Sequence, residues 1–127
     1  MTVELVQKFC LSFAHATENL QWGDAVCFKI RGKLFAVLNL GLVPPHLLFK
    51  CTPETFVELT EREGITAAPY LGRYNWVSLE GMEAVPWREL QELLRESYAM
   101  VAAKAKVGRI NKNKKKRRTS ARTVRKE

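Results

Sequence analysis

Cysteine and histidine are scarce in this sequence, and neither is placed for obvious chemistry. Its 127 residues include three cysteines and two histidines. Cys10, Cys27 and Cys51 are odd in number and show no two-residue spacing, which argues against a disulfide framework and against a zinc site. They are expected to be buried free thiols in a reducing cytoplasm. His15 and His46 have no cysteine or acid at a spacing that would form a nucleophile pair, although sites assembled across a fold stay open.

Phosphate-binding loops and long apolar runs are also missing. The seven glycines are scattered, and none precedes a Lys-Ser or Lys-Thr pair. The longest apolar stretch, residues 34–49, is interrupted by Asn39, Pro44, Pro45 and His46, so it is too short to cross a bilayer. The start of the chain has no secretory signal pattern. We therefore predict a non-enzymatic cytoplasmic protein without metal or cofactor.

Positive charge is concentrated at the C-terminus. The net charge of the whole chain is +8. Residues 104–127 contain twelve Lys/Arg against Glu127 alone, a net +11, whereas residues 1–103 contain nine Lys/Arg against twelve Asp/Glu, a net −3. Blocks of like charge repel and do not fold alone, and their usual partner is a polyanion. The sequence thus predicts a folded domain at 1–107 and a disordered, flexible basic tail at 108–127; a merely solubilising role for the tail is the alternative.

Apolar periodicity predicts an α+β fold. Helical spacing after Thr2, a suitable N-cap, indicates a first helix, and the polar stretch 15–24 reads as a connector. Alternation from residue 25 onward with a turn at Gly32 predicts a hairpin. Thr52 followed by Pro53 predicts the start of a second helix.

Further strands are expected at 46–51 and 74–80, with a short additional one at 65–70, and a last helix is expected from Pro86. Loss of periodicity after Lys106 predicts that the fold ends near Gly108. Together these elements favour a mostly antiparallel sheet of four to five strands, with N- and C-terminal helices packed on it.

Several short blocks in this order resemble the MmcQ/YjbR-like family: "WGD", "GKLFAVL", "LLFKCTPE", "APYLGRYNWV" and "SYAMV". The resemblance covers nearly all of residues 1–103 and excludes the basic tail. It implies a small bacterial protein with a CyaY-like fold and a double-wing DNA-binding role, and it brings no catalytic motif. Iron binding, known for that fold, is not expected because the first helix offers only Glu4. The matching positions are Trp22, Gly23, Gly32, Lys33, Phe35, Lys50, Pro53, Tyr70, Trp76, Ser97 and Tyr98.

Cations in the body suggest a basic wing. Lys29, Arg31 and Lys33 lie near the predicted hairpin tip, and Lys50 or Arg73 is expected beside it. Such a wing contacts phosphates or enters a groove. The three hairpin cations should then point to solvent on one side of the body. The alternative is a solvated strand edge whose lysines block pairing between sheets.

The three tryptophans lie in different sequence surroundings. Trp76 and Trp87 are expected in the core, whereas Trp22 is a candidate surface aromatic for base stacking.

These patterns predict a nucleic-acid-binding protein, with DNA favoured over RNA and a monomer favoured. The first alternative is a protein-interaction adaptor that uses its acidic helices or an apolar sheet patch, and the second is a small enzyme. Besides the five cations of the body, the candidate contacts in the tail are Lys112, Lys114, Lys115, Lys116, Arg117, Arg118, Arg122 and Arg125.

Overall fold

The computed structural model describes the backbone of residues 2–114 and the side chains of residues 2–81 and 83–105. This part of the chain forms three α-helices and one six-stranded antiparallel sheet with the order β1-β2-β3-β4-β6-β5. Short 3₁₀ turns at Gly72–Tyr74 and Met82–Ala84 flank β6. The elements are α1 (Val3–Leu11), β1 (Ala16–Gln21), β2 (Ala25–Ile30), β3 (Lys33–Asn39), β4 (His46–Lys50), α2 (Pro53–Thr60), β5 (Ile65–Ala67), β6 (Trp76–Leu79) and α3 (Trp87–Lys114).

Local sequence signals set the starts of the first two helices. The Thr2 hydroxyl oxygen accepts a hydrogen bond from the backbone N–H of Leu5 at 3.1 Å. The Thr52 hydroxyl oxygen accepts one from the N–H of Thr55 at 3.2 Å, and Pro53 occupies the first turn of α2. Both bonds satisfy N–H groups that lack a partner within the helix. The two predicted N-caps are confirmed.

The polar connector predicted at residues 15–24 is wrong for most of its length, because Ala16–Gln21 forms the edge strand β1. It pairs antiparallel with β2, from Ala16 opposite Ile30 to Gln21 opposite Ala25. Its side chains are largely exposed, so β1 lacks the apolar alternation of a half-buried strand. The sheet therefore has six strands rather than four to five, and the short strand expected within 65–70 is confirmed as β5.

The two faces of the sheet are covered unequally. On one face Phe28, Ile30 and Phe49 belong to a large core cluster that includes residues of all three helices. On the other face Cys27, Val37 and neighbouring side chains form a small cluster to which none of the described helical residues contributes. The helices thus pack on one face, and the opposite face is left open.

The predicted apolar stripe of the last helix packs as expected. Leu90, Leu94 and Val101 are buried, and Trp87 and Tyr98 pack against the same core. The helix, however, continues through Gly108 to Lys114, beyond the end predicted from the loss of periodicity.

Each of the three cysteines is a buried free thiol, as predicted. Burial raises the pKa of Cys10 to about 12. Burial is also the largest cause that raises the pKa of Cys51 to about 11, with the Glu96 carboxylate as a second cause. These thiols are therefore protonated and unreactive near neutral pH. Within the described residues, no helix is both long enough and apolar enough to span a membrane.

Candidate nucleic-acid interface

Antiparallel pairing brings four of the predicted cations to one end of the sheet. The β2–β3 turn at Arg31 and Gly32 lies at this end, since Ile30 pairs with Lys33. The last residue of β4, Lys50, pairs with Trp76, the first residue of β6, and Arg73 lies just before that strand. We call this region, defined by Arg31, Lys33, Lys50, Arg73 and Lys104, the cationic end.

A depression of about 430 Å³ forms the centre of the cationic end and is lined by Lys33, Lys50, Val101 and Lys104. None of these lining residues carries a carboxylate. Lys104 was counted in the charge of the C-terminal segment but was not predicted to be a contact. Its helical position was the available signal, because buried Val101 and Ala105 fix the side of α3 that meets the sheet.

Two hydrogen bonds from Lys50, and a third made by its partner Ser97, hold this residue in place. Its Nζ donates to the carbonyl oxygen of Tyr74 at 2.9 Å. Its backbone N–H donates to the hydroxyl of Ser97 at 3.1 Å, and that hydroxyl donates to the carbonyl oxygen of Phe35 at 2.7 Å. Ser97 is fully buried, so this link ties α3 to β3 and β4 at the level of the depression.

The electrostatics of the depression favour an anion. Burial lowers the pKa of Lys50, the nearby Lys104 lowers it further, and Cys51 acts weakly in the opposite direction. Burial and the positive charge of Lys104 both disfavour the charged ammonium group of Lys50. A phosphate between the two ammonium groups would offset their repulsion and stabilise both charges.

The three hairpin cations do not share a side, and that prediction is wrong. Lys29 pairs with Leu34, and Lys33 pairs with Ile30. Because successive side chains of a strand alternate between faces, Lys29 lies on the open face and Lys33 on the helix face. Arg31 and Lys33 are exposed and Lys29 is half-buried. The hydrogen bonds and ion pairs of the described residues include none that joins these three cations to a glutamate.

Arg73 lies apart from the lysine depression. Its guanidinium group stacks over the Tyr74 ring at 5.0 Å from the centroid. It lines a separate depression with Tyr70 and Gly72. Tyr74 links Arg73 to the lysine depression, since its ring contacts Arg73 and its carbonyl oxygen accepts the hydrogen bond from Lys50.

Acidic side chains gather elsewhere, on the helices near the β5 edge. Arg62 forms ion pairs with Glu58 of α2 at 2.9 Å and with Glu89 of α3 at 2.8 Å. The bond from Arg62 is the main cause that lowers the pKa of Glu89. Since α2 packs against β5 and β6, these ion pairs lie near the β5 edge, and neither glutamate lines the lysine depression.

The predicted contacts of the C-terminal segment fall outside what the structure describes. Lys112 and Lys114 lie in the helical backbone of α3, without described side chains. The boundary between the domain at 1–107 and a tail at 108–127 stays a prediction. The predicted contacts beyond the described residues are Lys115, Lys116, Arg117, Arg118, Arg122 and Arg125.

The two histidines lie in different places. His46 begins β4, and its Nδ1 lies 3.5 Å from the hydroxyl of Ser78, which is itself buried. No carboxylate among the described residues hydrogen-bonds to His46, so a third group to orient the ring is missing. His15 is exposed before β1. Within the described residues, no group of three or more His, Cys, Asp or Glu side chains could hold a metal ion.

Fold and site together define a class: small α+β proteins with an open antiparallel sheet that is covered by helices on one face. The YjbR family model matches residues 11–100, and the chain belongs to this family. The match ends before Lys104, so the last lysine of the depression lies outside it.

Solved structures agree with this assignment. A Deinococcus radiodurans protein with the domain DUF419 is 27% identical, with a TM-score of 0.72 over 79% of this chain and 78% of that one. A Pseudomonas syringae protein is 17% identical, with a TM-score of 0.64 over 80% of this chain and 99% of that one, a likeness of fold alone. The curated proteins include no match to the sequence.

Proposed function

We propose that this protein is a non-enzymatic nucleic-acid-binding protein of the bacterial cytoplasm, with DNA preferred over RNA. The cationic end contacts backbone phosphates, and the cations of the C-terminal segment add affinity that does not depend on sequence. The observation that carries this proposal is the convergence of Lys33, Lys50 and Lys104 on one depression whose lining includes no carboxylate.

Chain continuity supports the same function. Lys104 lies on α3, and eleven further Lys/Arg follow it before the chain ends at Glu127. Lys104 of the cationic end is thus continuous in sequence with the cations of the C-terminal segment, so both groups can act on one polyanion. Binding to phosphates releases condensed counterions, so it weakens steeply with salt.

A salt titration of the full-length chain tests this proposal. We expect a labelled duplex to bind at low ionic strength, with the logarithm of the association constant falling against the logarithm of salt concentration. If about half of the C-terminal cations contact phosphates, the slope is near −5. Fluorescence anisotropy with DNA and RNA of equal length measures the slope and the preference.

Absence of binding to both DNA and RNA at low ionic strength would contradict the proposal. The adaptor hypothesis would then be favoured. Binding without salt dependence would equally exclude a role for the phosphate contacts.

A further inference from the structure

The open face of the sheet contains a cleft of about 470 Å³ that the phosphate contacts leave unused. Its apolar floor includes Leu34, Val37 and Leu48 from β3 and β4. Trp22, from the β1–β2 turn, and Tyr70, from the segment after β5, also line it. No residue with a carboxylate is among the described residues that line this cleft.

The two aromatic residues of the cleft are unusually exposed. Trp22 is 73% exposed and Tyr70 is 97% exposed. Both have a positive φ, 49° for Trp22 and 66° for Tyr70, a conformation that bulky residues seldom adopt. Such strained backbone conformations persist where the surrounding structure holds them, often at binding sites. Two rings are thereby presented to solvent beside one apolar cleft.

Polar groups with free hydrogen-bonding capacity also line the cleft. The Asn39 side-chain oxygen accepts a bond from the N–H of Gly41 at 3.0 Å, which assigns the amide and leaves Nδ2 without a partner among the described residues. The Nδ1 atom of His46 faces the Ser78 hydroxyl. Its Nε2 atom has no hydrogen-bond partner among the described residues. These groups match the donors and acceptors on the edge of an unpaired base.

Cations lie beside the cleft. Tyr70 also lines the depression that contains Arg73. Lys29 is on the open face opposite Leu34, which is part of the cleft floor. A ring held in the cleft would therefore have positive charge within reach of an attached phosphate, which gives the charge complementarity that a nucleotide requires.

We propose that the open-face cleft binds an unpaired base of a single-stranded nucleic acid, stacked against Trp22 and Tyr70, with the adjoining phosphate at Arg73. This inference rests on the proposed function and extends it from phosphate contacts to base contacts. Bases in a duplex are stacked on their neighbours and cannot enter the cleft, so the cleft selects single strands. Stacking on aromatic side chains tolerates all four bases, because each has a π face.

The test compares full-length variants on single-stranded DNA and on duplex DNA of equal length. Trp22→Ala with Tyr70→Ala is expected to weaken single-strand binding about tenfold to hundredfold, with duplex affinity unchanged. Trp22→Phe with Tyr70→Phe keeps both rings and should restore most of the single-strand affinity. Val57→Ala removes an exposed apolar side chain from α2, outside the cleft, and serves as the control. Circular dichroism confirms that each variant is folded.

Three outcomes would overturn the inference. In the first, the double alanine variant binds single strands as tightly as the unmodified protein. If its duplex binding still depends on salt, only the base contact is wrong and the proposed function stands. In the second, a strand with abasic sites throughout binds as tightly as an intact strand. In the third, a free nucleoside monophosphate binds but the strand shows no dependence on the two rings. If the unmodified protein binds neither single-stranded nor duplex DNA, both the proposed function and the base-binding cleft are wrong.

Discussion

Full-length protein carrying Lys33→Glu and Lys104→Glu is expected to bind duplex DNA about tenfold to hundredfold more weakly than the unmodified chain at low salt. The two changes place carboxylates in the depression where Lys50 remains the only other charged lining residue described. Two phosphate contacts are lost, so the log–log salt slope should fall by roughly 2. Fluorescence anisotropy at several salt concentrations measures both quantities.

A matched control variant distinguishes the effect of where the charges lie from the effect of the total net charge. Lys8→Glu with Arg88→Glu makes the same change in net charge at exposed residues of α1 and α3, and neither residue lines the depression. We expect this control to weaken binding only by about twofold, because distant surface charges are screened. Equal losses in both variants would show that net charge alone matters and would contradict the assignment of the cationic end.

Phe35→Ala is expected to lower the free energy of unfolding by about 3–5 kcal/mol. Phe35 is fully buried, and its ring lies 5.4 Å from that of Tyr98 and 5.8 Å from that of Phe13. Its carbonyl oxygen accepts the bond from Ser97. The change opens a cavity where β3, α3 and the segment after α1 meet, and the loss is a large share of the stability of a small domain. Urea unfolding followed by circular dichroism measures it.

Two further variants keep this prediction testable. Phe35→Leu retains most of the volume, and a loss of about 1–2 kcal/mol is expected if the alanine variant does not fold. Leu20→Ala removes a side chain that is 64% exposed on β1 and should change stability by no more than about 0.5 kcal/mol. A loss below about 1 kcal/mol for Phe35→Ala would contradict the burial of the Phe35 ring in the core.

Local signals in the sequence were sufficient for the helices and for most strands. Thr2 and Thr52 specify helix starts through bonds that span three residues, so no tertiary information is needed. Edge strand β1 was missed because its pairing with β2 is made by backbone groups, while its exposed side chains give no alternation. Strand pairing of this kind is fixed by the partner rather than by the segment itself.

The candidate site was only partly predictable. The cations Lys33 and Lys50 were named correctly as neighbours, because a hairpin and the next strand share one end of an antiparallel sheet. Lys104 joins them only through the packing of α3, which brings residues far apart in sequence together. Lys29 and Lys33 were predicted on one side of the sheet. Their pairing partners, Leu34 and Ile30, show that the two side chains lie on opposite faces.

The aromatic cleft illustrates the same limit. Trp22 was correctly expected at the surface, where it is 73% exposed. Tyr70 was expected within a short strand, but β5 ends at Ala67 and Tyr70 follows it with a positive φ. Nothing in the local pattern places Trp22 and Tyr70 beside one cleft, because their proximity results from the order of strands in the sheet.

Backbone amide chemical-shift mapping during titration with a short DNA duplex tests the central claim most directly. We predict that the largest changes occur at Arg31–Lys33, at Lys50 and in α3 around Lys104, and that added salt reverses them. Changes confined to the acidic helix α2, or no change at low ionic strength, would show that the cationic end does not contact nucleic acid.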